Sequence, residues 1–448
     1  MKLLFVNTVD INTPVEVMFP PLGLAYIASY LRSKLPGIEI KIVYNNVDQE
    51  IIAFKPDLLA ISSVSQNFNA AAQHARTAKA HGLPVIIGGP HITSIPSSLT
   101  PEMDLAVLGE GEETMAEIVQ AVGANGWSES VLRQIKGIAY RHNDTIETTG
   151  PRPEISPLDT LPFPARDLLP IPQRGIVHLF SSRGCPYKCQ FCASTHFWGK
   201  VRFFSAEYVL KEIEQVVATY DPIAIGFYDD LFIASKKRLF EIVELIVQNG
   251  YHRKLEFVLN GRANLITHEV AAALKRMNVV RVNMGLESGN EKTLEFLKGE
   301  TASLDINAQA LEILKQHGIN THGTFIIGCP GETSQDINET ETFIRKSSLS
   351  SFEVYLLTPL PGTPIWDLAL SRGVVSNDMD WSKLVQEPKA LDNSKIVLAD
   401  SVPREVLYDH YNRLQRLKKI RRLHSRFITA IKNPGRIIPA ILKNLTFR

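Results

Sequence analysis

What most constrains this chain is an alternation of short apolar runs with helix-period blocks, in two series separated by prolines. In the first series the runs are Leu3–Val6, Ile38–Tyr44, Leu58–Ser62, Val85–Gly88 and Leu105–Leu108, and the helix-period blocks Leu22–Leu35, Ala70–His81 and Glu113–Val122. Runs apolar at consecutive positions imply burial on both faces, hence parallel strands with helices on either side. Residues 1–150 therefore read as a doubly wound, Rossmann-like or flavodoxin-like α/β domain, closed by a hairpin of Ile138–Arg141 and Thr145–Thr149. Seven prolines between Pro151 and Pro172 make residues 151–173 a linker. The alternation resumes over residues 174–390 with strands expected at Val177–Ser182, Ile223–Tyr228, Leu255–Asn260, Val280–Leu286, Gly323–Gly328 and Glu353–Leu357. Six βα units fall short of the eight of a closed barrel and predict a partial (β/α)6 barrel.

Residues 391–448 read as a helical basic region. The formal charge of +1 conceals eleven Lys or Arg and no acid from Arg413 to Arg448, against a net −10 over the first 412 residues. Leu407, Tyr411, Leu414, Leu417, Leu423, Phe427 and Ile431 recur at helical steps until Asn433-Pro434-Gly435, and a second short apolar-basic piece follows. Such a helix docks on the acidic body of its own protein or lies on an anionic membrane surface; no aromatic-basic platform suggests nucleic acid. No apolar run reaches the eighteen or so residues of a membrane span, and the opening MKLLFVNTVD is too short in apolar residues for a signal peptide. The expectation is a cytoplasmic protein, with peripheral membrane contact through the tail as the variant.

Three of the four cysteines, Cys185, Cys189 and Cys192, lie within eight residues, just after the first strand of the second series. Three thiolates are too few for a closed structural zinc site, and an odd local count argues against disulfides. A 4Fe–4S cluster held by three thiolates leaves one iron open to an external ligand. Cys329, far away in sequence, reads as a small buried residue rather than a ligand.

The stretch Cys185-Pro186-Tyr187-Lys188-Cys189-Gln190-Phe191-Cys192 resembles the CxxxCxxC loop of radical S-adenosylmethionine (SAM) enzymes. The resemblance implies that the three cysteines hold a 4Fe–4S cluster, that the open iron chelates SAM, and that reductive cleavage yields a 5′-deoxyadenosyl radical. It places Phe191 near the adenine and the SAM contacts at later strand ends: Asp229 and Asp230, Arg262, Glu287 and Ser288, and Pro361. Read as ordinary residues, Asp229 and Asp230 or Glu287 and Ser288 could simply cap the helices that follow.

In the first domain, three segments fall at strand ends: Ser62-Ser63-Val64-Ser65-Gln66-Asn67-Phe68, Gly88-Gly89-Pro90-His91-Ile92-Thr93 and Gly109-Glu110-Gly111-Glu112-Glu113-Thr114. Glycine-rich turns let a backbone approach a cofactor. No Gly-x-Gly-x-x-Gly follows the first strand, which disfavours a dinucleotide. With Pro20–Tyr26 and the linker Leu161–Arg166, these segments resemble the cobalamin-binding domain that precedes the radical SAM core in one class of that family. The resemblance assigns Ser62, Ser63, Gly88, Gly89, Pro90, His91, Thr93, Gly109, Glu110, Gly111 and Glu112 to cobalamin. The Asp-x-His-x-x-Gly signature of an axial histidine is lacking, so cobalt is expected to carry no protein histidine.

Together the resemblances imply cobalamin-dependent C-methylation of an unactivated carbon in a small-molecule or lipid substrate, with a reductant protein such as flavodoxin or ferredoxin. Radical cyclisation, ring contraction or other non-methylating radical chemistry is the alternative. A redox-sensing Fe–S protein would instead leave the SAM contacts inert.

Overall fold

A computed structural model of the chain describes residues 1–10, 19–125, 128–388 and 394–432, without side chains at 122–125 and 424–432. The Asn433-Pro434-Gly435 break and the apolar-basic piece after it lie outside the described residues. The chain divides into two compact units. One comprises residues 1–256 with the returning segments 358–385 and 394–396; the other comprises residues 257–357, 386–393 and 397–448.

The first unit opens with the doubly wound sheet. Its strands are β1 (Lys2–Asn7), β2 (Glu39–Val43), β3 (Leu58–Ser62), β4 (Val85–Gly88), β5 (Leu105–Val107), β6 (Ile138–His142) and β7 (Thr145–Thr148), in the order β2-β1-β3-β4-β5-β6-β7. The first five are parallel; β6 and β7 add the expected hairpin antiparallel to β5. Leu3, Phe5, Leu58, Ala60 and Ile86 of one face join Leu24, Ala28 and Leu31 of helix α1 (Leu22–Lys34) in one buried cluster, with Met115 and Ile118 of the helix after β5. Each fully buried Leu, Ile or Phe contributes about 1.5–3 kcal/mol relative to exposure. The other crossover helices are α2 (Val47–Phe54), α3 (Phe68–Ala80), the single turn α4 (Pro90–Ser94) and α5 (Glu112–Asn125). The sequence pattern overlooked α2 and α4, which are too short to show a period.

The unit continues through the linker into β8 (Ile176–Leu179), a two-residue β9 (Ser182–Arg183), the turn α6 (Ser194–Trp198), β10 (Arg202–Phe203) and α7 (Ala206–Tyr220). β9 and β10 form an antiparallel pair around the cysteine loop. Helix α7 starts where the Ser205 hydroxyl accepts from the Tyr208 amide, satisfying one of the unbonded first-turn donors. β11 (Ala224–Phe227) pairs parallel with β8, and α8 (Lys236–Gln248) follows.

In the second unit β12 (Glu256–Gly261), β13 (Val279–Glu287), β14 (Asn320–Ile327) and β15 (Ser351–Leu356) run parallel, each paired with the next. Helices α9 (His268–Arg276), α10 (Glu291–Lys298), α11 (Leu304–Gln316) and α12 (Ser334–Lys346) connect them. All six strands expected after the linker are present within a few residues. Helix α13 (Pro364–Ser371) lies in the segment that returns to the first unit.

The basic helix α14 (Arg404–Lys432) begins by packing within its own unit. Leu407, Tyr411, Leu414 and Leu417 are buried. Arg413 pairs with Glu341, Lys418 with Glu353, and Arg421 donates to the carbonyls of Ser347 and Leu349. Docking on acidic residues of its own unit accounts for these cations; Ile420 and Leu423 stay about two-thirds exposed, at 64% and 66%.

Candidate active site

The cysteine loop starts from a carboxylate-braced turn. Fully buried Asp229, just past β11, accepts from the Ser181 amide at 2.6 Å, from the Ser182 hydroxyl at 2.8 Å and from the Ser181 hydroxyl. Asp229 thus shapes the entry to the loop. Asp230 accepts from the Ser194 hydroxyl at 2.6 Å, and its charge reaches Cys185 and Cys192. Cys185, Cys189 and Cys192 are each half-buried, whereas Cys329 in the second unit is buried. Burial, with Asp230 adding to it, pushes the Cys185 thiol up to about 11 and raises Cys192 in the same direction. These thiols keep their protons until a metal's positive charge favours the thiolates. Among the described residues no three His, Cys, Asp or Glu side chains converge as ligands of a single ion. A 4Fe–4S cube does not ask for that, since each thiolate takes a different iron, and three half-buried thiols on one loop fit it. Half-buried Phe191 precedes the last of them, and the Ile365 amide donates to the Gln190 carbonyl at 3.3 Å, bringing the segment that carries Pro361 beside the loop.

In the second unit, the remaining predicted SAM contacts gather at strand ends. Glu287, 5% exposed and at φ 62°, ends β13. Lys298 stands 3.6 Å from its carboxylate and donates to the Gly285 carbonyl. Burial raises the Glu287 pKa, opposed by Lys298 and Arg262. Arg262 also donates to the Thr301 hydroxyl at 2.8 Å. Ser288 is used differently: its hydroxyl meets Thr340 at 3.1 Å and accepts from the Asn290 amide, locking the start of α10 to α12. After β14, buried Glu332 accepts through Oε2 from the amides of Gly328 and Cys329 at 2.6 and 3.0 Å, while burial pushes its pKa up to about 7.

At the carboxyl ends of the first sheet a cavity of about 250 Å³ opens within the first unit. Phe5, Leu24, Ile27, Ala60, Ile86 and Met115 make its apolar floor. Of the residues expected to meet cobalamin, Ser62, Gly88, Gly89, Pro90, Gly109, Glu110, Gly111 and Glu112 line it. Gly89 is required by its backbone: φ is +103°, and a Cβ there would lie 2.7 Å from the Ser63 carbonyl. Gly23 and Gly109 also line the cavity, and a Cβ on either would meet no protein atom within 4 Å. A broad apolar recess walled by bare backbone fits a flat macrocycle with amide side chains.

Ser63, His91 and Thr93 stand behind this wall. The Ser63 hydroxyl donates to the Val64 carbonyl, and that of Thr93 accepts from the Gly109 amide at 3.0 Å, bracing the rim. His91 is fully buried, with Nδ1 3.0 Å from the Ser65 hydroxyl and Nε2 3.0 Å from that of Ser98. Its ring lies against Phe68 and Trp381, and burial pulls its pKa down to about 3. Both nitrogens of this neutral ring are thus engaged by serine hydroxyls.

The cavity wall also includes Gly23 and Leu24, from the Pro20–Tyr26 segment that carried the resemblance, and residues the sequence did not mark: Ile27 of α1, and Arg183, Phe197 and Trp198 around the cysteine loop. Arg183 adjoins Gly184-Cys185 in sequence, the one signal that could have marked it.

Comparison with known proteins places these features. The model of the radical SAM superfamily matches residues 179–344 and that of the B12 binding domain residues 9–119. The uncharacterized methyltransferase PH0819 of Pyrococcus horikoshii is 33% identical over 405 residues, 86% of each chain. The anaerobic magnesium-protoporphyrin IX monomethyl ester cyclase of Cereibacter sphaeroides is 24% identical over 438 residues, 89% of this chain and 68% of that one. Among solved structures, the radical SAM methyltransferase TsrM of Kitasatospora setae, with cobalamin and a [4Fe-4S] cluster bound, aligns over 84% of this chain and 75% of its own. The TM-score is 0.68 at 15% identity. The cobalamin-dependent radical enzyme OxsB aligns over 96% of this chain and 75% of its own, with a TM-score of 0.69 at 17% identity, so both share the fold. With a relative 33% identical across most of both chains and the two domain models in this order, the chain belongs to the radical SAM superfamily, among members with a B12 binding domain ahead of the radical SAM domain.

Proposed function

We propose that this enzyme uses a 4Fe–4S cluster, SAM and cobalamin to methylate an unactivated carbon. The carrying observation is that, in one compact unit, a glycine-walled apolar cavity shares its wall with the residues around a three-cysteine loop. When bound, the cluster with SAM supplies hydrogen abstraction and cobalamin supplies methyl donation. The chain's own residues would do the following. Cys185, Cys189 and Cys192 would hold the cluster; Asp230, held beside the loop by Ser194, would accept from the SAM amino group; Phe191 and Pro361 would flank the loop. Arg262 and Glu287 contribute charge at their strand ends, and the apolar floor excludes water. A flavodoxin or ferredoxin is the fitting reductant. The methyltransferase name of the relative 33% identical supports methylation. The cyclase, at 24%, keeps non-methylating radical chemistry as the second reading.

The test is anaerobic reconstitution with cobalamin, a reductant and SAM carrying an isotopic label in its methyl group. Methylation predicts that both 5′-deoxyadenosine and label on the corrin appear. Deoxyadenosine without corrin label would favour the second reading, and neither product would favour an Fe–S sensor.

The substrate would be a small molecule or a lipid. The exposed Ile420 and Leu423, beside Lys419 and Arg422, favour a helix tail touching an anionic surface, the lipid reading. Full-length protein should then sediment with anionic liposomes at low salt, and an Ile420→Ser/Leu423→Ser variant should not. Equal sedimentation would leave the helix as an intramolecular clasp.

A further inference from the structure

Within the cavity wall lies a buried group of charges. Arg183 forks between two carboxylates of one turn, pairing through Nη1 with Glu110 and through Nη2 with Glu112 at 2.5 Å. The second Glu110 oxygen is taken by Arg202 at 2.7 Å, and Arg202 reaches outward to Glu154 at 3.4 Å. The Arg183, Glu110 and Glu112 side chains are all under 10% exposed. The guanidinium also sits 5.3 Å from the ring centres of both Tyr26 and Trp198. A planar fork with two anions and two rings has one orientation available to it, which a lysine could not reproduce.

Its place gives this arrangement a direction. Glu110 and Glu112 flank Gly111, and all three line the cavity together with Arg183 and Trp198. On the other side Arg183 is joined to Cys185 through Gly184 alone. Gly184 is held at φ +88°, where a Cβ would meet the Lys200 carbonyl and the Trp198 Cβ at 3.2 Å. A group pressing on the glycine turn thus presses on the carboxylates that hold Arg183, and the first cysteine lies one glycine further on.

We propose that Arg183, gripped by Glu110 and Glu112, is a positioning residue that makes the setting of the cysteine loop depend on what fills the cavity. This rests on the reading that cobalamin fills it. The test uses full-length, anaerobically reconstituted protein and the variants Arg183→Lys, Glu112→Gln and Glu154→Gln. Two measurements are made: retention of hydroxocobalamin by visible absorbance after gel filtration, and the electron paramagnetic resonance of the reduced cluster with and without cobalamin.

Wild type should change its cluster signal when cobalamin is added. Arg183→Lys and Glu112→Gln should keep wild-type iron content, bind hydroxocobalamin about tenfold more weakly, and show a cluster signal indifferent to saturating cobalamin. Glu154→Gln, at the network's outer edge, should match wild type. Wild-type affinity and a wild-type cobalamin response in both inner variants would overturn the proposal, and so would loss of iron from them without cobalamin, which would make Arg183 a loop scaffold. If wild type itself retains no hydroxocobalamin, this inference fails together with the cobalamin reading; normal wild-type binding with unaffected variants sinks this inference alone.

Discussion

At the carboxyl ends of the first sheet the chain offers bare backbone, Gly88, Gly89, Gly109 and Gly111, over an apolar floor; its one histidine there is turned inward between two serines. At the ends of the strands after the linker it offers three thiols, the adjacent Asp229 and Asp230, and the Arg262–Glu287–Lys298 group. Within its own unit, each of these groups lies near the carboxyl ends of parallel strands, where ligands of α/β proteins sit. On the proposed reading the first recognises by shape and leaves the chemistry to what it holds, while the second ligates and places charge. The glycine rim of the first set should therefore be most sensitive to added volume, and the second set to the loss of a ligand or a charge.

The largest expected effect lies in the second set. Cys185→Ala, Cys189→Ala or Cys192→Ala should remove the cluster and bring SAM cleavage to background, measured as iron content and 5′-deoxyadenosine. Cys329→Ala, a change of similar volume, should retain its iron. An iron-free Cys329 variant beside an intact Cys189 variant would reverse the ligand assignment.

Volume is the lever for the first set. Gly23→Phe projects into the cavity from the first turn of α1 without meeting protein at its Cβ. Hydroxocobalamin retention should fall by more than about tenfold as the recess fills. The cofactor-free protein should gain stability of up to about 1 kcal/mol from replacing a helical glycine. Gly23→Ala, the stronger helix former, should show the larger gain with binding kept. Retained cobalamin in the Phe variant would break the contrast between shape and charge.

A smaller effect concerns Glu332. Its folded pKa of about 7 lies above the ordinary value of 4.5, so between those pH values the folded protein holds a proton that the unfolded chain has released. Stability attributable to Glu332 should therefore fall as pH rises from 4.5 to 7 and stay level above 7. Glu332→Gln removes that slope and keeps an acceptor for the Gly328 and Cys329 amides. Denaturant titrations at pH 5 and pH 8 should show the variant gaining on wild type by about 2–3 kcal/mol across the interval. Parallel curves would show that Glu332 is not titrating there. The smallest effect is Lys418→Ala on the half-buried pair with Glu353, about 1 kcal/mol or less in the same titrations, with cluster content unchanged.

Legibility followed locality. The strands were readable because burial on both faces writes itself into consecutive residues, and the thiols because one loop carries all three. The cavity rim was readable through its glycines. The partnership of Arg183 with Glu110 and Glu112 was not, since an ion pair more than seventy residues apart leaves no period in the sequence. Nor could the sequence separate Asp229 from Asp230: which of two neighbours turns toward Ser181 is decided by how β11 ends beside β8. His91 and Ser288 sit in suggestive segments, yet their partners Ser65, Ser98 and Thr340 give them structural work.

The first unit closes only when residues 358–385 return to it, and the Ile365 amide then reaches the Gln190 carbonyl between the second and third cysteines. On a ribosome, Ile365 emerges about 170 residues after Cys192, roughly 10–35 s later at ordinary elongation rates. For that interval the nascent loop lacks its neighbour and its thiols are open to oxidation. A cluster set into the loop before then would lack that neighbour, so the yield of active protein should depend on how soon iron and sulfide reach a finished chain.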